Sequence, residues 1–318
     1  MNAVNFLEYH SMRKFICASM IIFFCCKTIA APFEVAISID DLPVHGDLPS
    51  GVTRLDVAKQ ILATLNKHSI KNVYGFINAG RINESDDTYN VLKLWVNSGQ
   101  LLGSHTYNHI NLDTETSTDF IHEVQMNESH LSELMETKDY HYFRYPYLHE
   151  GNTQEKRDRV RHYLFDQQYK IAQVTMDFED YAWNNPYARC VKKGDNEAIE
   201  WLKKSYIEHA INSITVAHEL SRLIFQRDIK NILLLHVGAF DALILDDLLT
   251  AYEENGVKFI SLHEALQDEV YNINPNIAKE NTDTFFTQMR LAKKLPIPDI
   301  VKQLLESIPE EKLDKLCR

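Results

Sequence analysis

Ser38-Ile39-Asp40-Asp41-Leu42-Pro43 follows the apolar run Phe33-Glu34-Val35-Ala36-Ile37, so two adjacent carboxylates stand at the exit of a strand. Two acids there can divide the work, one binding a hard or borderline metal and the other staying free as a base. That division is the core of a metal-dependent hydrolase. The strand also opens an alternating series. Strands are expected at residues 34–39, 72–78, 101–104, 142–144, 170–175, 231–236 and 257–261. Between them the pattern predicts helices at 55–67, 87–97, 118–135, 197–225 and 242–255. In the third of these, Phe120, Val124, Leu131 and Leu134 fall on one face. Seven or so strands separated by helices predict a closed or nearly closed parallel α/β barrel, whose sites form at the carboxyl ends of the strands.

Four further motifs fall at such ends. Ser104-His105-Thr106-Tyr107-Asn108-His109 offers two histidines four apart, which a helical turn would aim at one point, and with Asp41 they make two nitrogens and an oxygen. Phe143-Arg144-Tyr145-Pro146-Tyr147 offers an arginine able to grip a carboxylate in a bidentate pair, and a proline that fixes the following turn. Asp177-Phe178-Glu179-Asp180-Tyr181 and the run Ile232-Leu233-Leu234-Leu235-His236 complete the set.

In order and spacing these five motifs resemble those of the polysaccharide deacetylases (NodB-homology domain, carbohydrate esterase family 4), which read T-F-D-D-G-P, H-(S/T)-x-x-H, R-x-P-Y, D-x-x-D-W and L-x-H. The match runs over roughly residues 33–266, about three quarters of the chain. The resemblance implies a distorted (β/α)7 barrel with a groove open to long chains. It implies a metal held by Asp41, His105 and His109, with Asp40 as the base and Arg144 against it. It implies further that the Tyr147 peptide N–H helps bind an oxyanion, and that His236 is the general acid, oriented by Asp180. Leu234 would line the pocket for the acyl methyl. Zinc suits a His-His-Asp set with open positions, and cobalt or nickel fits the same donors. The reaction expected is removal of an N-acetyl group from an amino sugar of a polysaccharide or peptidoglycan-type glycan.

The departures are as informative. Leu42 stands where the family has glycine, Tyr181 where it has tryptophan, and Val237 where an aspartate often follows the last histidine. None removes a ligand, base or acid. Leu42 and Tyr181 reshape the groove walls, and so bear on which substrate is taken. Two alternatives stay open at this level: hydrolysis of another non-peptide C–N bond or an ester on the same scaffold, and a non-catalytic glycan-binding protein. His45, His149 and Glu150 flank the motifs and are read either as substrate contacts or, by default, as solvated loop residues, and His263 has no evident partner.

The chain has 318 residues, 45% of them apolar, with 10 glycines and 9 prolines, enough for one large domain and too apolar for a disordered chain. Its net charge of −12 argues against nucleic acid or an anionic membrane as partner. Arg13 and Lys14, the apolar run 15–26, and Lys27-Thr28-Ile29-Ala30-Ala31 read as a secretory signal cleaved near Ala30, giving a periplasmic or extracellular protein. The run is too short for a comfortable membrane span. Residues 31–270 then form the barrel and 271–318 a helical extension with apolar residues at Phe285, Met289, Ile300, Leu304 and Leu305, broken by Pro296 and Pro298. Beyond the leader only Cys190 and Cys317 remain; export permits a disulfide, and spacing leaves their pairing open.

Overall fold

Phe33–Leu42 is β1, and both of its faces are covered. Val35, Ile37 and Ile39 pack outward among the helices, while Ala36 joins Tyr74, Phe76, Tyr142, Ala172 and Ile232 in a separate inner cluster. A strand covered on both sides belongs at the centre of a parallel sheet. The computed structural model describes residues 32–83 and 87–318, so the leader expected at 1–30 lies outside the described residues.

The elements that follow are α1 (Arg54–Lys67), β2 (Tyr74–Ile77), α2 (Thr88–Asn97), β3 (Leu101–Ser104), α3 (Ser117–Met135), β4 (Tyr142–Phe143), α4 (Gln154–Asp166) and β5 (Lys170–Ile171). Next come α5 (Asn184–Lys193), α6 (Asn196–Phe225), β6 (Asn231–His236), α7 (Ala239–Glu254), β7 (Val257–Ile260) and α8 (Leu262–Ala265). Thr53, Thr116, Thr153 and Asp195 cap α1, α3, α4 and α6 by accepting a backbone N–H from the first turn.

All strand pairs are parallel, in the order β5-β4-β3-β2-β1-β6. Ala36 pairs with both Ile232 and Ile260, which places β6 and β7 on opposite edges of β1; β2 takes over the β7 edge from Ser38 onward. The sheet then curls. Met176 N donates to Ile232 O at 3.0 Å and Leu234 N to Met176 O at 3.0 Å, so the chain beyond β5 ties onto β6 and draws the ends of the sheet together. The expected distorted seven-stranded α/β barrel is therefore found. The strand expected at 170–175 shortens to two residues because its backbone changes partner midway, from Phe143 on β4 to Ile232 on β6.

The C-terminal elements are α9 (Phe285–Ala292), α10 (Asp299–Leu305) and α11 (Glu310–Lys315). Phe285 and Met289 are buried as their spacing predicts. On α10 the outcome differs. Val301 is buried, whereas Ile300 and Leu305 stay 44% and 41% exposed. A helix of two turns presents one narrow stripe, and Val301 with Leu304 three residues on takes it. Cys190 on α5 and Cys317 form a disulfide, and Arg189 adds hydrogen bonds to Leu316 O at 3.0 Å and Leu313 O at 2.9 Å. Among the described residues no helix is long and apolar enough to cross a membrane.

Candidate active site

Side chains of successive residues in a regular strand point to opposite faces, which would separate Asp40 from Asp41. The structure avoids this. The β1–β2 register shifts between Ile39 and Leu42, and Asp41 adopts a left-handed backbone with φ of 66°. Both carboxylates then reach one histidine: His105 Nε2 lies 3.6 Å from Asp40 Oδ2 and 3.9 Å from Asp41 Oδ1.

His105 and His109 do come together, with rings 4.8 Å apart, but not on a helical turn. They sit in a loop in which Thr106 and His109 have φ of 60° and 58°. Buried amides hold this backbone, with Asn78 Nδ2 donating to His105 O at 2.6 Å and Asn127 Nδ2 to Thr106 O at 3.2 Å. These bonds to loop carbonyls replace the helical ones that the spacing suggested. His105 Nδ1 pairs with Arg144 O at 2.8 Å, which fixes the tautomer and leaves Nε2 free to face Asp41.

The donor atoms of Asp41, His105 and His109 lie within 4.8 Å of one another. Asp41 Oδ1 is buried and makes no hydrogen bond, while His109 Nε2 stands 3.4 Å from it. Burial drives the His105 imidazole well below its ordinary pKa and lowers His109 to about 4, so both rings are neutral. Burial alone would raise Asp41, but the hydrogen bond from His45 Nδ1 at 2.8 Å holds its carboxyl well below the usual range. Two neutral imidazoles and one carboxylate with an unsatisfied oxygen fit a divalent cation of the zinc type. A second trio, Asp41, His45 and His236, converges equally closely and shares Asp41 with the first.

Arg144 meets Asp40 as the family resemblance implies, though not as a two-nitrogen fork. Its Nη1 bridges both Asp40 oxygens at 3.2 Å, Nη2 donates to Ser38 Oγ at 2.8 Å and Nε to Ala172 O at 2.6 Å. Spending the other nitrogens on Ser38 and Ala172 locks the guanidinium in place. Burial raises Asp40 to about 6 despite Arg144. A carboxyl near neutrality can accept and release a proton at working pH.

Opposite stands His236, whose Nδ1 pairs with Asp180 Oδ1 at 2.8 Å while its backbone N–H donates to Asp180 Oδ2 at 2.7 Å. Asp180 is fully buried, and burial raises it to about 7. Leu234, two residues before His236 on the same strand face, is buried. Tyr181 is 46% exposed with its ring edge-on to His236 at 5.5 Å, and Tyr147 is 55% exposed with its ring edge-on to His109 at 4.5 Å. The two rings flank the site. Tyr147 and the following Leu148 both have φ of 59°, so the turn after Arg144 is tight.

The sequence reading misplaced four residues, among them His149, which pairs with Asn111 Oδ1 at 3.1 Å. His45, taken as a solvated loop residue, bonds Asp41 and lies with its ring 4.7 Å from that of His236. Its position two residues past Pro43 was the available signal. Glu150 is buried in a structural cluster with Arg157 and Arg161, and His263 pairs with Tyr142 Oη at 3.0 Å. Arg81, 3.5 Å from Asp41 Oδ1, had no signal at all, since it belongs to a short turn after β2. A separate open groove beside α4, lined by Arg159, Phe165, Lys170 and Tyr271, contains none of the motif residues.

Residues 29–163, which carry the first three motifs, match the family model for polysaccharide deacetylase. A chitin deacetylase of the fungus Arthroderma benhamiae is 23% identical over 238 residues, 75% of this chain and 53% of that protein. The chain thus spans about half the length of this curated relative. Among solved structures, the chitin deacetylase of the fungal pathogen Colletotrichum lindemuthianum shares the fold at 19% identity and a TM-score of 0.50, covering 80% of this chain and 95% of that one. A mutant of a carbohydrate esterase family 4 pseudoenzyme of Bacillus anthracis, with restored enzymatic activity, shares it at 21% identity and a TM-score of 0.50, covering 74% and 68%. In its motif order, its match to the family model over residues 29–163 and its fold, the chain is similar to the polysaccharide deacetylases.

Proposed function

We propose that this chain is a metal-dependent hydrolase that removes N-acetyl groups from amino-sugar residues of a chitin- or peptidoglycan-type glycan. The observation that carries the reading is the convergence at one end of the sheet of a base held by an arginine, a neutral His-His-carboxylate donor set, and a histidine held by an aspartate. A binding protein has no use for all three.

Asp41, His105 and His109 hold the ion, zinc by preference with cobalt or nickel as substitutes, and when bound it supplies Lewis acidity to the acyl carbonyl and the attacking water. Asp40, fixed by Arg144, takes the proton of that water. The Tyr147 peptide N–H donates to the oxygen on which charge develops. His236, held by Asp180, protonates the departing amine as the C–N bond breaks, and the acetyl group leaves as acetate. Leu234 lines the space for the acyl methyl, and Tyr181 with Tyr147 walls the groove through which the glycan passes. We assign residues 1–30 to an export leader, 31–270 to the catalytic barrel and 271–318 to a helical extension packed on it, in a periplasmic or extracellular protein.

Acetate release from chitin oligomers, peptidoglycan and acetylxylan, each assayed with and without added zinc, tests the reading. Release from the amino-sugar polymers that Asp40→Asn abolishes is expected. Release only from acetylxylan, or none that depends on Asp40, would overturn it.

A further inference from the structure

Behind the His236–Asp180 pair lies a buried acid that this chemistry leaves unused. Asp241 sits in the first turn of α7 and is 2% exposed. Tyr206 on α6 donates its hydroxyl to Asp241 Oδ1 at 2.7 Å. The other oxygen, Oδ2, is buried with no donor to satisfy it, and the Asp241 carboxyl lies in hydrogen-bond contact with that of Asp180. Two carboxyl groups can hold such a contact only when one of them keeps a proton. Asp180 already accepts at both oxygens, from the His236 ring and the His236 backbone N–H. The proton therefore belongs on Asp241 Oδ2. Burial pushes Asp241 well above the ordinary carboxyl range, in agreement with that placement. The backbone is shaped closely around the acid. A Cβ at Gly238 would come within 2.4 Å of Asp241 Oδ2 and 3.0 Å of Asn184 Oδ1.

We propose that Asp241 is a positioning residue: as a neutral carboxylic acid it donates a hydrogen bond to Asp180, and the chain Tyr206–Asp241–Asp180–His236 fixes the imidazole that protonates the leaving amine. The inference rests on the reading of His236 as general acid. With this further donor on its carboxylate, Asp180 cannot rotate away from His236 and keeps the negative charge that supports an imidazolium. The protein supplies this donor from α6 and α7, outside the five motifs.

An asparagine mimics a neutral acid, since its oxygen can accept from Tyr206 and its NH2 can donate to Asp180, whereas alanine removes both bonds. Asp241→Ala should lower kcat about tenfold to a hundredfold, the size of one charge-assisted hydrogen bond, with KM little changed. Asp241→Asn should recover most of that loss. Tyr206→Phe, which deletes only the hydroxyl, should fall between them and guards against an alanine variant that does not fold. In metal-free protein labelled at histidine, the far-downfield proton of His236 Nδ1 should persist in Asp241→Asn and broaden or vanish in Asp241→Ala. Native kcat and an unchanged His236 resonance in Asp241→Ala, or an Asp241→Asn variant as impaired as the alanine, would overturn the proposal. Because the resonance needs no turnover, a wild-type protein inert on glycans would sink the deacetylase reading and still leave the hydrogen-bond chain decided.

Discussion

Asp41 stands at the end of β1, and His105 and His109 follow the end of β3 two strands away in the same sheet, whereas Asp180 and Tyr181 stand on a loop that leaves β5 after two paired residues. On the metal side the sheet ladder runs into the motifs: His105 N donates to Ile77 O at 3.1 Å and Arg144 N to Ser104 O at 3.0 Å. On the acid side the loop is shaped by tertiary packing. Trp183, fully buried, meets the rings of Phe178, Tyr206 and His209, and α5 behind it is tied to the chain's C-terminal end by the Cys190–Cys317 disulfide. One side takes its geometry from backbone register, the other from helices packed against it. Lesions should separate the two.

The largest effect is expected on the metal side. His105→Ala combined with His109→Ala removes two of three donors, so elemental analysis should find no stoichiometric zinc and deacetylation should fall to background. Metal retained at one per chain would mean that the ligands are elsewhere, with the Asp41–His45–His236 trio the first place to look. Next comes the chemistry that spares the ion. Asp40→Asn and His236→Ala should each cost about a hundredfold to ten-thousandfold in rate while metal content stays native. A near-native rate in His236→Ala would make that histidine core structure and void the acid side altogether.

This division also explains how much could be read in advance. The strands, their parallel pairing and the approach of Asp41 to His105 and His109 were legible because apolar runs end in polar motifs at regular intervals, and the ladder converts that order into position. The conformation of the motifs was not. Asp41, Thr106, His109, Tyr147, Leu148 and Glu179 all take positive φ, between 58° and 66°. None is glycine, and left-handed backbone in such residues is imposed by surroundings rather than announced by composition. The helical reading of His105 and His109 failed for that reason. Arg81 and Asp241 were missed because their contacts cross the fold, whereas His45 bonds Asp41 only four residues away and its place just past Pro43 went unused. The pairing of Cys190 with Cys317 was likewise undecidable across 127 residues until α11 was placed beside α5.

A middle-sized effect should come from that disulfide. Cys190→Ser should lower unfolding free energy by about 2–5 kcal/mol, measured by denaturant titration, because the bond restricts the unfolded chain. If the comparison holds, the catalytic cost should fall on kcat with zinc content unchanged, since α5 abuts the Asp180–Tyr181 turn and not the His105 loop. An equal loss of metal would show that the two sides do not separate.

The smallest effect concerns the seam between them. Glu150, 1% exposed, accepts from Arg161 of α4 at 2.6 Å and Gln173 at 2.7 Å, and Gln288 of α9 reaches the same carboxylate at 3.1 Å, so it joins α4, the chain beyond β5 and α9. Burial would raise its pKa, but Arg161 and Arg157 outweigh burial and hold it below the ordinary value. A folded pKa below the unfolded one gives stability that is complete above the unfolded pKa of about 4.3 and is lost as pH falls through the folded value. Acidification below about pH 4 should therefore weaken the native protein with a slope from this group of at most about 1.4 kcal/mol per pH unit. Glu150→Gln cannot titrate. It should be less stable at neutral pH, with two arginines left short of a partner, yet lack that part of the acid slope. Unfolding free energies measured from pH 7 to pH 3 on both proteins give the difference directly. Parallel curves would mean that Glu150 does not carry its charge in the folded state, and that its amide partners rather than its arginines hold the seam together.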